Sequence, residues 1–341
     1  MVEHGSVMDA NKSKWQRVVD LENGTAMIVT DLHGDWDAYR RYRDRFLELH
    51  KYGRANTLIL DGDLIHYSGP AVLDKSVEII LDILRLREEL GNRLIYLLGN
   101  HEIPHIYSIT LSKGEDLFTP QFERAMGEYR PQITTLFNSL PFYVRTPGGV
   151  TITHAGASSA ISQPSAVETL FNFSHQAVLQ RARKQITPEA RPYLMREMRQ
   201  QYGLTYNQMA REWFAVTGLD DPRYDDFLVG SLAVSSDPAM EVLWPALFTR
   251  NEKEYGDYNY ALLVNNLLKA LSLGYHQQKV LVTGHIDCRQ NGFKLVNRQQ
   301  LRLASAKHAI PREAGKYLLL DVTRPVETAE ELLPYMQSVF T

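Results

Sequence analysis

The chemistry of this sequence is concentrated in five short runs of acidic, amide and imidazole residues. They are Asp31-Leu32-His33-Gly34-Asp35, Asp61-Gly62-Asp63, Gly99-Asn100-His101-Glu102, His154-Ala155-Gly156 and Gly284-His285-Ile286-Asp287. Oxygen and imidazole donors suit Mn, Fe or Zn and not a soft thiolate metal. The ligand types suit two divalent cations, and Asp63 is placed to bridge them. Two such ions about 3.5–4 Å apart can clamp a phosphoryl group and activate a water for in-line attack. A glycine in each run (Gly34, Gly62, Gly99, Gly156, Gly284) lets the backbone turn tightly and leaves room for ions.

Each run follows a short apolar segment that reads as a strand: Ala26–Thr30, Thr57–Leu60, Arg93–Leu98, Val150–Thr153 and Lys279–Thr283. Between the first three lie Trp36–Lys51 and Ala71–Leu90, both long enough for helices. In the second, Val72, Val77, Ile80, Leu81 and Leu84 recur at helical spacing. Strand alternating with helix implies an α/β layered fold. In such sheets ligands gather at the carboxyl ends of strands, so the five runs should converge in space.

The stretch 160–226 differs. It is rich in Gln, Arg, Met and Glu with apolar residues at helical intervals, which predicts helices over Val167–Lys184, Arg191–Gln201 and Asn207–Val216, broken near Gly203, Gly218 and Pro222. Gly292–Ser305 and Tyr317–Val322 read as β-structure. The expected organisation is a polar leader over 1–24, a single domain over 25–330 with a helical insertion at about 160–226, and a tail over 331–341. The insertion is expected to act as a cap restricting access to the site.

With 341 residues and 44% hydrophobic content, the chain can bury a large core. A net charge of -3 argues against a general nucleic-acid binder, while leaving a small anionic substrate open. The single cysteine, Cys288, precludes an internal disulfide, and the polar N-terminus carries no apolar signal core. No apolar run is long enough to span a membrane, and a cytoplasmic address is expected.

The ordered set D-x-H-G, G-D, G-N-H-E, H-x-G and G-H resembles the calcineurin-like metallophosphoesterases, most closely their phosphoprotein phosphatase branch, which acts on phosphoserine and phosphothreonine. Ser236-Asp237-Pro238 resembles that branch's S-D-P element. Arg298-Gln299-Gln300-Leu301, Ser305-Ala306 and Ala314-Gly315 resemble its C-terminal hairpin region. The resemblance implies a β-sandwich flanked by helices. It implies that Asp31 and His33 hold a first metal, that Asp63 bridges, and that Asn100, His154 and His285 hold a second, with Mn2+ the leading ion and Fe or Zn the alternatives. Asn100 would also face the phosphate. His101 would be the general acid, and an imidazole can cycle near neutral pH.

The departures concern the substrate. The branch's second motif runs G-D-x-V-D-R-G, but here it is Gly62-Asp63-Leu64-Ile65-His66-Tyr67-Ser68-Gly69. His66 stands where an aspartate orients the general acid, and Tyr67 where an arginine grips phosphate. A tyrosine hydroxyl gives no charged, bidentate grip. Arg250 occupies the offset of a second family arginine after S-D-P and is the candidate phosphate clamp. Asp287 stands where some metallophosphoesterases carry a further ligand, whereas His105 and His308 read as ordinary polar residues and Cys288 as an inert thiol.

The expected function is a metal-dependent phosphoester hydrolase that activates water at a dinuclear centre. Its partner is a phosphorylated protein or small molecule, first of all a protein phosphorylated on serine or threonine. A nucleotide or dinucleoside-polyphosphate hydrolase is the alternative within enzymes. A non-catalytic metal-binding pseudophosphatase is the alternative outside them, raised by His66 and Tyr67.

Overall fold

The computed structural model describes residues 15–113, 116–249 and 252–340. In chain order its principal strands are β1 (Val18–Asp20), β2 (Thr25–Thr30), β3 (Thr57–Asp61), β4 (Leu94–Leu97), β5 (Tyr143–Arg145), β6 (Val150–Ile152), β7 (Val280–Thr283), β8 (Phe293–Asn297), β9 (Gln300–Leu303), β10 (Tyr317–Asp321) and β11 (Met336–Gln337). They form a five-stranded sheet ordered β11-β10-β2-β3-β4 and a six-stranded sheet ordered β1-β5-β6-β7-β9-β8. The strand cores of β2, β3 and β4 pair in parallel, with Thr30 opposite Asp61 and Asp61 opposite Leu97, so their carboxyl ends are level. In the second sheet β6 and β7 are also parallel, with Ile152 opposite Val282.

The two sheets face each other, which is why the strands read as unbroken apolar runs. Ala26 and Ile28 of β2, Ile59 of β3 and Leu97 of β4 point into a core shared with Val150, Ile152, Val280 and Val282. The alternate residues Met27, Val29, Leu58 and Leu60 point the other way. There they meet helices α1 (Trp36–Lys51) and α2 (Ser76–Leu90) through Tyr42, Phe46, Ile80 and Ile83. Asp35, the last residue of the first run, caps α1 by accepting from the Ala38 amide.

After β4 come α3 (Ile103–Tyr107), α4 (Phe118–Met126) and α5 (Arg130–Ser139). Between β6 and β7 the described residues are helical in α6 (Pro164–Phe171), α7 (His175–Arg183), α8 (Ala190–Tyr202), α9 (Tyr206–Phe214), α10 (Asp226–Ser236), α11 (Pro238–Phe248), α12 (Glu252–Tyr255) and α13 (Asp257–Leu271). The single helix expected over Val167–Lys184 is two helices. Phe173 turns inward at the break, and Ser174 starts the second helix by accepting from the Ala177 amide. Helicity also runs well past residue 226. The expected leader begins outside the described residues, and Trp15 packs its ring 5.4 Å from Phe171. Among the described residues no helix is long and apolar enough to cross a membrane.

Candidate metal centre

The loops that leave β2, β3, β4, β6 and β7 meet at one end of the sandwich. Backbone bonds lace the first two together: the His33 amide donates to the Asp63 carbonyl and the Gly34 amide to the Leu64 carbonyl. The Gly284 amide donates to the His154 carbonyl in the same way across the second sheet. Asp31, His33, Asp63 and His285 all take positive φ, between 45° and 71°, a conformation rare outside glycine. Such strain persists where the surroundings over-determine it and clusters at functional sites.

Asp63 is the hub. Its Oδ1 accepts from the His101 amide at 2.9 Å. Its Oδ2 faces three imidazoles: His154 Nε2 at 3.4 Å, His33 Nε2 at 3.6 Å and His101 Nε2 at 3.9 Å. His285 joins His154 and Asp63 in one group of potential ligand atoms, all within 4.8 Å of one another. Asn100 Oδ1 lies 2.9 Å from His154 Nε2. Asp31 takes the His285 amide on its carboxylate at 3.0 Å. The six residues singled out for metal binding are therefore brought into one cluster.

The chemistry of this donor set fits divalent cations. His33 Nδ1 faces the His66 carbonyl at 3.3 Å and donates to it, which leaves Nε2 as a bare lone pair; that atom is buried and has no hydrogen-bond partner. His154 is oriented likewise, with Nδ1 3.1 Å from the Asp61 carbonyl and Nε2 toward Asp63. A ligating histidine is ordinarily held through its second ring nitrogen in this manner. Burial, reinforced by neighbouring imidazoles, pushes the pKa values of His33 and His285 well down and keeps them neutral. Burial opposes protonation of His154 too, but Asp63, Asp31 and Asp61 outweigh it and lift its pKa to about 10. The carboxylates around His154 thus favour a positive charge at this point of the cluster.

Glu102 holds the frame. It is fully buried, and it accepts from Tyr96 Oη at 2.7 Å and from the amides of Gly99, Leu64 and Asp63 at 3.0–3.2 Å. Burial, together with nearby Asp63, pushes its pKa up to about 7. The motif marks its position, but only the fold reveals that it ties the β3 and β4 loops together.

Over the cluster lies a cleft of about 630 Å3, reached by His33, Asp63, Asn100, His101 and His285. Phe118 lines one part of its wall. Trp244 and Phe248, stacked with centroids 4.0 Å apart on α11, line another, and Lys253 of α12 and Lys307 also reach it. Helices that precede and follow residue 250 therefore form part of the rim. Arg250 itself lies outside the described residues. Of the altered loop, Ser68 lines the cleft; half-buried Tyr67 packs beside Gly34 and Gly69, and His66 is buried behind His101.

His308 departs from its reading as an ordinary polar residue. Its Nε2 lies 3.6 Å from Asp31 Oδ1, and it forms a potential ligand group with Asp31 and His33. Asp287 orients it, its Oδ1 lying 2.7 Å from His308 Nδ1. Asp287 therefore sits one step behind the cluster, and the His308 imidazole stands between it and Asp31. Local sequence carries no signal for this, because His308 follows no strand of the ligand-bearing set.

A family described as calcineurin-like phosphoesterase matches residues 24–286. A protein serine/threonine phosphatase from Saccharomyces cerevisiae with similarity to human phosphatase PP5 aligns at a TM-score of 0.49 and 14% identity, covering 90% of this chain and 77% of that one. A cold-active protein-tyrosine phosphatase of a psychrophilic Shewanella aligns at 0.41 and 12% identity, covering 90% and 78%. Among curated proteins none matches the sequence.

Proposed function

The chain belongs to the calcineurin-like phosphoesterase family, and from that premise we propose that it is a phosphomonoesterase with a dinuclear centre. In this reading Asp31, His33, Asp63 and His308 hold one ion and Asp63, Asn100, His154 and His285 the other, with Mn2+ the ion to test first. The observation that carries it is the Asp63 carboxylate, whose Oδ2 faces the imidazoles of both groups while Oδ1 is tied to the backbone. When bound, two such cations supply Lewis-acid charge on the phosphoryl oxygens and an activated water.

The protein's own residues do the rest. Asn100, which lines the cleft, orients the phosphate, and Lys253 and Lys307 add charge where Tyr67 supplies none. His101, on the cleft wall, protonates the departing oxygen from Nε2. The alkoxide leaving a phosphoserine or phosphothreonine needs that proton, so His101→Ala should lower kcat on such peptides by about 10²–10⁴-fold. Absence of hydrolysis with Mn, Fe, Zn or Co, or indifference to His101→Ala, sinks the proposal.

The stacked Trp244–Phe248 pair supports a second reading, since a flat aromatic wall suits a nucleobase. A panel of phosphopeptides, nucleoside phosphates and dinucleoside polyphosphates decides between them. Cleavage of nucleotides with phosphopeptides untouched selects the second.

A further inference from the structure

Behind His101 runs a chain of hydrogen bonds for which the metal cluster has no use. His101 Nδ1 lies 3.0 Å from His66 Nδ1, and His66 Nε2 lies 2.8 Å from His105 Nε2. His105 Nδ1 lies 2.7 Å from Glu123 Oε1, and Glu123 Oε2 accepts from Arg130 Nε at 2.9 Å. The side chains of His105 and Glu123 are fully buried. Phe118 stacks on His66 with rings 8° from parallel, and Phe122 closes over both His66 and His105.

The proton positions follow from the donor inventory. An ionised carboxylate only accepts, so His105 carries its hydrogen on Nδ1. A neutral imidazole has one N–H, so His105 Nε2 accepts, and His66 must donate from Nε2. His66 Nδ1 then accepts, and His101 must donate from Nδ1. One carboxylate thereby fixes the direction of three imidazoles. Burial disfavours the Glu123 anion, but the hydrogen bond from His105 and the Arg130 guanidinium outweigh it and hold its pKa below the usual carboxyl value, so the group keeps its charge. Without it the chain has a second arrangement of equal length, in which every ring is turned to the opposite tautomer.

We propose that His105 and Glu123 are positioning residues which, through His66, hold His101 with its Nδ1 proton engaged and its Nε2 facing the departing oxygen. The inference rests on the phosphomonoesterase reading for its consequence but not for its geometry. In the proton-transfer step the Nε2–H bond of the His101 imidazolium breaks and an O–H bond forms on the leaving oxygen, which takes the electron pair of the broken P–O bond. Nδ1–H stays in place, donated to His66. His101 then regains its Nε2 proton from solvent. Position 66, where the family resemblance calls for an aspartate, thus holds a link to a carboxylate one imidazole farther away.

Two measurements test this. Nitrogen-15 NMR of the metal-free protein should report Nδ1–H tautomers for His101 and His105 and Nε2–H for His66, and Glu123→Gln should disturb all three. The second measurement, with Mn2+, compares phenyl phosphate, whose leaving group needs a proton, with 2,4-dinitrophenyl phosphate, whose leaving group does not. Glu123→Gln should lower kcat on the first at least roughly tenfold more than on the second with little change in KM, and should have no further effect in a His101→Ala background. His105→Asn keeps a donor for Glu123 but severs the link to His66, so it gives the same pattern even if Glu123→Gln fails to fold. Equal loss on both substrates, or opposite tautomers in the wild type, overturns the proposal. Wild-type protein inactive on both substrates but with the stated tautomers refutes the phosphatase reading and the catalytic consequence, leaving only the hydrogen-bond chain.

Discussion

Left-handed backbone at Asp31, His33, Asp63 and His285 costs of the order of 1–3 kcal/mol at each position, and glycines hold the frame that enforces it. At two of these glycines a side chain is excluded by a carboxylate of the cluster. A Cβ on Gly284 would lie 2.2 Å from Asp31 Oδ2, and one on Gly99 would lie 2.3 Å from Asp63 Oδ1. Gly284→Ala should therefore displace the Asp31 carboxylate and weaken Mn2+ binding by roughly 10–100-fold, read by calorimetric titration of protein whose circular dichroism is unchanged. Unaltered affinity would remove Asp31 from the ligand set. The six residues proposed as ligands could be picked out from the sequence because they fall in five short motifs, each following a strand. His308 and Glu123 could not: one reaches the cluster beside Asp287, the other reaches His66 only through His105, and no local pattern encodes either contact.

At the scale of elements, β2, β3 and β4 were legible because both faces of each are buried, which leaves an unbroken apolar run ended by a glycine-containing turn. The helices between β6 and β7 were less so. α10 is apolar around most of its circumference and lacks the periodic stripe that reveals a surface helix. α12 is only four residues long and is held by side chains from far along the chain. Glu252 Oε2 accepts from buried Arg302 Nη2 of β9 at 2.7 Å, and Oε1 from Lys294 Nζ of β8 at 2.6 Å. Burial disfavours the Glu252 anion, but these two cations outweigh it and hold its pKa at about 2, below the usual 4.5. A carboxyl depressed in the folded state contributes stability that is full above about pH 4.5 and is lost as pH falls toward 2. Partial solvent exposure tempers the gain, so Glu252→Gln should cost about 1–3 kcal/mol in urea unfolding at pH 7, with the difference from wild type vanishing near pH 2. A cost independent of pH would contradict the ion pair. Because neighbouring Lys253 lines the cleft, the same variant should also raise KM for an anionic substrate.

For the molecule as a whole, the decisive fact is that the six residues proposed as ligands are divided between two sheets. Asp31, His33, Asp63 and Asn100 leave the five-stranded sheet, whereas His154 and His285 leave the six-stranded one. The facing of those sheets through Ile28, Ile59, Ile152 and Val282 is thus also what assembles the site. Ions bound by both sheets are bound by the folded chain alone, since the unfolded chain scatters the ligands. Binding should then stabilise the fold by about 2.7 kcal/mol when free metal is one hundred times its dissociation constant. Ile28→Ala removes buried methyl groups from the inter-sheet core and should cost about 2–5 kcal/mol. Its loosened sheets should bind Mn2+ more weakly, while saturating metal still restores much of the lost thermal stability. Asp63→Asn, which weakens the bridge without emptying the core, should show the reverse: near-normal stability without metal and little rise in Tm with it. A thermal-shift series of wild type, Ile28→Ala and Asp63→Asn across Mn2+ concentrations separates the two effects. An equal rise in Tm for wild type and Asp63→Asn would mean that the ion sits elsewhere and that the two sheets do not share it.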